Sequence, residues 1–382
     1  MKYDLSTRGL AALSARFGIS LEYASEELFP DFRAYVAGKK VLLLCDETTR
    51  RYASPLCGRL RAAGTDAEEF VLPSAESVAD EATCALAEER AKGYGYVLAV
   101  GSGTLNDIAK YTTFRLGTEC GVYATAASMD GFTSGVTPLI RGGNKVTVNA
   151  HTVRHVLADF SVLCAAPRIM TGAGAGDILA KYCCLADWRL SHLLKGEAWN
   201  EEAASLMRAA LAQCVENVGS IAACGREGVE ALFAALLVSG YAMVISGNSR
   251  PASGAEHHMS HFLEVYFLRR GEHIPLHGVK VGLGTLVSLH MYKRLKDVPQ
   301  DFAGKEIAVK LAEALPEPAW AAGVLSSLGC PTRFSQLGVP EDVVRDMLFN
   351  CWKIRDRYTV MTLYRENDLM RSAADELISL FY

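Results

Sequence analysis

Tyr94-Gly-Tyr-Val-Leu-Ala-Val-Gly-Ser-Gly-Thr-Leu-Asn-Asp107 joins an apolar run to a glycine-rich turn and to the start of a helix. Short uninterrupted apolar runs are typical of strands buried on both faces of a parallel sheet. The pattern therefore predicts a strand over 94–100 and a helix over 105–116. Glycines at such a turn let the backbone approach a phosphate group, and the helix N-terminus adds partial positive charge. The segment is interpreted as a phosphate cradle or, alternatively, as a tight turn only, because Asn106 replaces the third glycine of Gly-x-Gly-x-x-Gly.

The same alternation of strand and helix extends to both sides of this segment. Further strands are predicted at 39–46, 68–72 and 121–126, with helices at 50–63 and from a capping box at Ser77 to Gly93. Gly64 is expected to follow the C-terminus of the first of these helices. The order β-α-β-α-β-α-β predicts an α/β fold with a Rossmann-like, doubly wound parallel sheet.

The flanking regions differ from this pattern. Residues 1–37 are predicted to be helical and amphipathic. After about residue 166, long Ala- and Leu-rich stretches dominate and strand patterns become sparse. We therefore predict two domains, a nucleotide-binding α/β domain at 1–165 and an all-helical domain at 166–382.

Composition excludes several classes of function. The 382 residues carry a formal net charge of -4 and no basic runs, which argues against a nucleic-acid partner. The eleven cysteines include no Cys-x-x-Cys pair and no N-terminal signal segment precedes them, so reduced thiols in the cytoplasm are expected. Residues 231–247 are uncharged but shorter than the roughly 20 residues of a membrane span, so we expect a buried core helix and no membrane partner.

Polar residues follow two of the predicted strands. Asp46 ends the first strand, where its carboxylate would accept hydrogen bonds from a ribose or, alternatively, cap the next helix. Thr125 to Ser128 end the fourth strand, and Asp130 and Ser134 continue that loop. Side chains at the carboxyl ends of parallel strands line the ligand crevice of such folds.

A second group of candidates lies in Gly- and Ser-rich segments of the helical region: Asp177, His257, His261 and His277. Asp177 follows alternating glycines and is expected in the first turn of a helix, with Lys181 one turn later. His257 and His261 are four residues apart and share a face if that segment is helical. A carboxylate with two imidazoles forms a three-ligand catalytic site for a divalent transition metal, although each residue alone is more often structural.

His258 argues against one function for this segment. It occupies the position of the general-base Glu in the His-Glu-x-x-His pattern of zinc proteases, so peptidase chemistry is disfavoured. Its side chain is expected to point away from the metal position, and to lie either at the surface or next to the ligand residues without binding the metal. A metal with open positions together with a dinucleotide cradle predicts metal-assisted hydride transfer.

Five segments carry a resemblance to a known family: 101–107, 125–134, 174–181, 253–261 and His277-Gly278. By these segments, in this order and spacing, the chain resembles the iron-containing alcohol dehydrogenase and glycerol dehydrogenase superfamily over nearly its whole length. Within it, the chain is most similar to the bacterial sn-glycerol-1-phosphate dehydrogenases. The segment Thr125-x-x-Ser128-x-Asp130-Gly131 is the most specific, because it separates that branch from plain glycerol dehydrogenases.

The resemblance implies a role for each candidate residue. It implies that NAD(H) or NADP(H) is held by Gly103, Thr104, Leu105, Asn106, Asp107, Thr125, Ala126, Ala127, Ser128 and Ser134, with Asp46 on the adenosine side. It implies a metal, nickel or zinc, held by Asp177, His257 and His277. Asp130, Asp177 and His261 would contact substrate, with His261 not a ligand. The implied protein is a homodimer that interconverts dihydroxyacetone phosphate and sn-glycerol 1-phosphate.

Three other functions remain open at this point. They are a glycerol or polyol dehydrogenase without phosphate specificity, a cyclase of the dehydroquinate-synthase type, and a non-enzymatic nucleotide sensor. A phosphorylated substrate also requires a cation, for which Lys181, Arg250 and Lys145 are candidates.

Overall fold

The computed structural model describes residues 3–74 and 77–382. It contains two compact units, Met1–Pro167 with Cys224–Tyr241, and Arg168–Ala223 with Ala242–Tyr382. The predicted domains, 1–165 and 166–382, differ from these units in the assignment of 166–167 and 224–241.

The first unit contains a parallel sheet and its flanking helices. Its strands are Ser20–Tyr23 (β1), Val41–Asp46 (β2), Ala67–Leu72 (β3), Tyr96–Gly101 (β4), Glu119–Ala124 (β5), Val136–Arg141 (β6), Asn144–Asn149 (β7) and His155–Ala158 (β8). Its helices are Thr7–Ala15 (α1), Pro30–Tyr35 (α2), Arg50–Ala62 (α3), Glu81–Ala91 (α4), Gly103–Leu116 (α5) and Phe160–Cys164 (α6).

Six of these strands form one sheet in the order β1-β8-β5-β4-β2-β3, and every pair is parallel. β2 and β4 are buried at every position, which is why their sequences are continuously apolar. The chain leaves β2 for β3 on one side and returns to β4 on the other. The reversal of strand order between β2 and β4 creates the crevice where ligands bind in open α/β sheets. The predicted doubly wound parallel sheet is confirmed.

Two predictions for this unit are corrected, and three strands were not predicted. Residues 1–37 are not wholly helical, because β1 pairs with β8 at the edge of the sheet. The capping box at Ser77 is wrong: Asp80 is the N-cap, and its carboxylate accepts a hydrogen bond from the Thr83 amide at 2.8 Å. The sequence also did not predict β8 or the hairpin of β6 and β7. Gly142 and Gly143 form the turn of that hairpin, where positive φ angles of 53° and 70° suit glycine.

The second unit is helical in its described residues, as predicted from its composition. Its helices are Arg168–Leu179 (α7), Lys181–Lys195 (α8), Glu201–Glu216 (α9), Val218–Ala222 (α10), Arg226–Ser246 (α11, shared with the first unit), Ala255–Arg270 (α12), His277–Arg294 (α13), Lys305–Glu313 (α14), Pro318–Ser327 (α15), Glu341–Asn350 (α16), Val360–Glu366 (α17) and Met370–Phe381 (α18).

Among the described residues, α11 alone is long and apolar enough to cross a membrane. However, 83% of its apolar window is buried inside the protein, which is the environment of a core helix. The interpretation of 231–247 as a buried helix therefore agrees with the structure.

Candidate metal centre and nucleotide-binding residues

Asp177, His257 and His277 form one group in the second unit. Their potential ligand atoms all lie within 4.8 Å of one another. The His257 and His277 ring centroids are 5.2 Å apart, and His257 Nε2 is 3.7 Å from Asp177 Oδ1. Two imidazoles and a carboxylate are a donor set that fits a divalent transition metal and leaves coordination positions open.

Helices α7, α12 and α13 bring these three side chains together, and glycines let α7 and α13 approach. A Cβ on Gly278 would lie 1.8 Å from the Ala173 carbonyl oxygen, and one on Gly176 would lie 2.4 Å from the Gly278 carbonyl oxygen. Asp177 was expected in the first turn of a helix, and this prediction is wrong. Asp177 lies near the C-terminal end of α7, whose glycine-rich sequence is itself helical because it packs against another backbone.

Glu256 orients His257 from the side away from Asp177. Glu256 Oε1 lies 2.7 Å from His257 Nδ1 and also accepts hydrogen bonds from the Gly254 amide at 2.6 Å and Cys184 Sγ at 3.1 Å. Burial raises the pKa of Glu256. A carboxylate on one imidazole nitrogen directs the other nitrogen toward a metal, which is the arrangement seen around metal-ligating histidines.

Lys181 and Asp187 complete the support of this group. Lys181 Nζ donates to Asp177 Oδ1 at 2.9 Å and to the Ala252 carbonyl at 3.2 Å, with both charged side chains fully buried. Asp187 accepts from Tyr292 Oη at 2.7 Å and from the Ala255 amide at 2.7 Å, which holds the first turn of α12. Burial, and then the nearby Glu256, raise the pKa of Asp187 to about 7. No pattern in the sequence had identified Glu256 or Asp187.

His261 lies one turn beyond His257 on α12 and belongs to the same cluster of rings. Its centroid is 6.3 Å from that of His257 and 5.9 Å from that of His277. Its Nδ1 is 3.6 Å from Glu264 Oε2. His261 therefore lies beside the Asp177–His257–His277 group, where it can contact a molecule bound to a metal there.

In the first unit, the candidate nucleotide residues lie at the carboxyl ends of adjacent strands. Asp46 ends β2, Gly101 ends β4, and Thr125 follows β5, with its amide donating to the Gly101 carbonyl at 3.1 Å. The Asp46 carboxylate accepts hydrogen bonds from the amide and hydroxyl of Thr49, both at 2.8 Å. Asp46 thus organises the turn before α3, but the alternative that it caps this helix is wrong, because the N-cap is Thr49.

The glycine-rich turn leads directly into α5, which begins at Gly103. A Cβ on Gly101 would lie 2.3 Å from Leu105 Cδ1, so any larger residue there would require the Leu105 side chain to move. Asn106 is fully buried, with Nδ2 donating to the Gly131 carbonyl at 3.3 Å, and Asp107 is 8% exposed. The hydroxyl groups of Ser102 and Ser128 are hydrogen-bonded, which joins the loop after β5 to the start of α5.

Lys110 secures the loop that carries Asp130 and Ser134, although the sequence had not pointed to it. Its fully buried Nζ donates to Ser134 Oγ at 3.0 Å and to the carbonyls of Gly131 and Val136 at 3.3 and 2.6 Å. Burial lowers the pKa of Lys110. A single lysine in a helix has no pattern that distinguishes it from a solvated one, so only the contacts reveal this role.

Asp130 is held by α11. Ser239 Oγ donates to Asp130 Oδ2 at 2.7 Å, and Thr133 Oγ1 donates to the Leu237 carbonyl at 2.8 Å. A Cβ on Gly240 would lie 2.0 Å from Thr133 Oγ1, so glycine is required where the loop meets the helix. These contacts place Asp130 in a defined position within the first unit.

Two of the remaining histidines are structural. His155 is 2% exposed and its Nδ1 lies 2.8 Å from Tyr96 Oη, and burial lowers its pKa to about 4. His151 Nε2 lies 2.8 Å from Thr113 Oγ1, and burial lowers its pKa as well. All eleven cysteines are free thiols.

Comparisons with known proteins agree with this architecture. Residues 26–167 match the family model described as iron-containing alcohol dehydrogenase. A probable glycerol dehydrogenase from Sinorhizobium meliloti has the same fold, with a TM-score of 0.67 at 19% identity over 94% of this chain and 97% of that one.

Curated relatives are closer in sequence. The glycerol-1-phosphate dehydrogenase (NAD(P)+) of Bacillus velezensis is 38% identical over 85% of each chain, and that of Bacillus subtilis is 36% identical over 86% of this chain and 85% of its own. The chain therefore belongs to the iron-containing alcohol dehydrogenase family, in the group of its members named glycerol-1-phosphate dehydrogenases.

Proposed function

We propose that this protein interconverts dihydroxyacetone phosphate and sn-glycerol 1-phosphate with NAD(H) or NADP(H) and one divalent metal ion. The observation that carries the proposal is the Asp177–His257–His277 group, with ligand atoms within 4.8 Å, in a chain 38% identical to a glycerol-1-phosphate dehydrogenase. When bound, the metal polarises the ketone and the nicotinamide supplies hydride.

Asp177, His257 and His277 are the proposed metal ligands. Glu256 keeps His257 Nε2 directed at the site by holding Nδ1, and Lys181 fixes one oxygen of Asp177. Nickel and zinc are the proposed metals, since imidazole and carboxylate donors suit both. His261 is the proposed substrate contact, and its imidazole would hold or deliver the proton at the substrate oxygen, because imidazole groups exchange protons near neutral pH.

The proposed dinucleotide residues are at the start of α5 and in the loop after β5. The first turn of α5 offers backbone amides and the positive end of the helix dipole to a pyrophosphate. Gly103, Thr104, Leu105, Asn106 and Asp107 would hold it. Thr125, Ala126, Ala127, Ser128 and Ser134 would hold the nicotinamide half, with Asp46 on the adenosine side. Asp130 is the proposed substrate contact of this unit, and its hydrogen bond from Ser239 supports a fixed orientation.

The assembly and compartment belong to the same proposal. We expect a homodimer, which light scattering of the purified protein would test. We expect the cytoplasm, because eleven free thiols suit a reducing compartment.

A chelation and reconstitution experiment tests the function. The purified protein is stripped with a chelator, reconstituted separately with nickel and zinc, and assayed for NADH oxidation with dihydroxyacetone phosphate. We expect activity only after reconstitution, and much slower NADH oxidation with unphosphorylated dihydroxyacetone. With NAD+ in the reverse direction, equal turnover of glycerol and glycerol 1-phosphate would favour a polyol dehydrogenase, and binding of NADH without ketone reduction would favour a sensor. A cyclase would show no net oxidation of NADH.

A further inference from the structure

Arg355 and Arg357 both contact Ser253, two residues before α12, and Arg250 lies close enough to act on Arg357 electrostatically. Arg357 Nη1 donates to the Ser253 carbonyl at 3.2 Å and Nη2 to Ser249 Oγ at 2.7 Å. Arg355 Nη1 lies 3.5 Å from Ser253 Oγ. Arg250 is 2% exposed, while Arg355 and Arg357 are half-buried. The guanidinium groups of Arg355 and Arg357 therefore meet at Ser253, within the second unit.

The positive charge of this cluster exceeds the negative charge that contacts it. Glu197 binds Arg250 through both oxygens, at 2.6 to 3.0 Å, and neutralises it. Arg357 makes no direct ion pair with a carboxylate in 3–74 or 77–382; its hydrogen bonds go to a carbonyl and a hydroxyl. Glu264 is the acidic group that acts on Arg355. Burial, and then Arg355 and Arg250, lower the pKa of Arg357 to about 9, which is the effect expected of an uncompensated cation.

His258 adds an unused hydrogen-bonding group to the same place. It is fully buried, contrary to the surface position that the sequence allowed, and neither ring nitrogen has a hydrogen-bond partner among the described residues. Arg357, Arg355 and His261 are all close enough to act on it electrostatically. Buried polar groups are nearly always hydrogen-bonded, so an unsatisfied imidazole beside two guanidiniums indicates that a ligand belongs there.

The earlier cation candidates of this unit are already engaged. Lys181 binds Asp177 and the Ala252 carbonyl, and Arg250 binds Glu197. Arg357, which binds no carboxylate among the described residues, presents a planar donor group of the kind that matches the oxygens of a phosphate, and Arg355 lies close enough to act on it electrostatically. His258 follows the proposed ligand His257 directly. His261, which acts on His258 electrostatically, belongs to the same group of rings as His257 and His277.

The geometry points to Arg355, Arg357 and His258 as the binding site for the phosphate monoester of a small phosphorylated substrate, next to the proposed metal ligands. This inference rests on the proposed function. It assigns substrate specificity to the segment between α16 and α17 and to His258, neither of which the sequence had indicated.

The test compares Arg357→Gln with wild type in the metal-loaded, full-length protein. We expect kcat/KM for dihydroxyacetone phosphate to fall on the order of 100-fold, while kcat/KM for unphosphorylated dihydroxyacetone stays within about twofold. Inorganic phosphate should inhibit the wild type competitively against dihydroxyacetone phosphate, and this inhibition should be absent in the variant. Arg357→Lys should recover part of the lost activity, since it restores the charge without the planar fork.

Controls separate this role from folding and from cofactor binding. Lys353→Gln removes the same charge from an exposed position in the same segment and should leave both substrates unaffected. Metal content and melting temperature of Arg357→Gln should match wild type, and the NADH dissociation constant should be unchanged. If Arg357→Gln does not fold, Arg355→Gln takes its place with the same expectations.

Several outcomes would overturn the inference. They are an unchanged kcat/KM for dihydroxyacetone phosphate, an equal loss for both ketones, or weaker NADH binding, which would assign the arginines to the dinucleotide. If wild type reduces no dihydroxyacetone phosphate, the proposed function fails, and calorimetry with inorganic phosphate decides the anion site by itself. Binding in wild type that Arg357→Gln abolishes supports the site, and absence of binding in wild type overturns it.

Discussion

The partner of each charged side chain determines its role in the helical unit. Lys181, Arg250 and Arg357 are all partly or fully buried cations near α12, but only the first two are neutralised by a carboxylate. His257 likewise has two distinct nitrogens, one held by Glu256 and one facing Asp177. Because burial makes an unpaired charge costly, these pairings show which groups serve the structure and which are available to a ligand.

The first prediction separates a metal ligand from a substrate contact on one helix. His257→Ala should lose stoichiometric metal, because two protein ligands hold an ion poorly. His261→Ala should keep its metal and lose turnover on the order of 100-fold or more, through poorer orientation or a lost proton transfer. Metal analysis and steady-state kinetics on both variants check this. A folded His261→Ala protein without metal would mean four protein ligands and would contradict the assignment.

The second prediction concerns the carboxylate behind His257. Glu256→Gln removes the negative charge that orients His257 Nδ1 and should weaken metal affinity about 10- to 100-fold. Glu264→Gln is the matched control, a second buried glutamate on α12 that contacts His261 at 3.6 Å, and should leave metal affinity unchanged. Competition with a metal-binding dye measures both affinities. Equal affinities in the two variants would show that Glu256 does not support the metal.

At this scale the sequence identified residues with an unusual local context and missed those defined by distant contacts. Asp177, His257 and His277 were found because each lies in a Gly- or Ser-rich segment. Lys110 has ordinary helical surroundings, and Glu256 stands beside His257 in the same segment, but the sequence does not show the contacts that define their roles. Spacing also could not separate His257 from His261, because residues four apart share a helical face.

Between elements, glycine determines how closely helices approach in the second unit. Gly278, the second residue of α13, lies against the backbone of α7. Gly284 lies against Glu256, where a Cβ would be 2.6 Å from the Glu256 carbonyl oxygen. The carboxylate of Asp177 and the ring of His277 can meet only because these backbones touch. Glycine in a helix lowers its intrinsic stability, so packing must provide the compensation.

The third prediction tests this packing with one added methyl group. Gly278→Ala places a Cβ 1.8 Å from the Ala173 carbonyl oxygen and should destabilise the protein by about 1–3 kcal/mol while reducing metal occupancy. Gly323→Ala is the control, since a Cβ at that exposed position in α15 meets nothing within 4 Å. It should be neutral or stabilising by up to about 1 kcal/mol. Chemical denaturation and metal analysis decide, and a stable, metal-replete Gly278→Ala protein would refute the packing argument.

The elements missed from the sequence are those stabilised by distant pairing. β1 and β8 have four residues each, and each pairs with the other across more than a hundred residues of chain. Such short segments lack a periodic pattern. The helix at 172–176 was missed for a different reason: a glycine-rich stretch has the same composition whether it forms a loop or a closely packed helix. β2 and β4 were predicted because six buried residues in succession give a local signal.

The fourth prediction concerns the pH dependence of stability at the β8 edge. The pKa of His155 is lowered to about 4 by burial, then by Arg154, so the folded protein keeps the ring neutral while the unfolded chain protonates it near its ordinary value of 6.5. The contribution of the neutral His155 ring to the free energy of unfolding is therefore complete above about pH 6.5. It decreases by about 1.4 kcal/mol per pH unit as the pH falls toward 4. The non-titrating His155→Gln variant should be less stable at pH 7.5 and lose that disadvantage at pH 5. Urea unfolding at both pH values measures the free energy of unfolding of the wild type and the variant. A difference between the two proteins that does not change with pH would argue against a neutral buried imidazole.

At the scale of the whole molecule, each compact unit contains its own set of candidate residues. The α5 start and the loop after β5 belong to the first unit, and the Asp177–His257–His277 group belongs to the second. Each set is positioned by contacts inside its unit, such as Lys110 with Ser134 in the first and Glu256 with His257 in the second. Loss of one set should therefore leave the other intact.

The fifth prediction follows from this separation. Asp107→Ala should weaken NADH binding about 10- to 100-fold, the effect of losing a charged hydrogen-bonding group, and should retain stoichiometric metal. His277→Ala should lose metal and retain the NADH affinity of wild type stripped by a chelator. Fluorescence titration with NADH and metal analysis on the same preparations give both quantities for both variants, with melting temperatures to verify folding. If folded Asp107→Ala loses metal, or folded His277→Ala loses NADH binding, the two sites depend on each other. The division of roles between the units would then have to be abandoned, even if both variants lack activity as the proposed reaction requires.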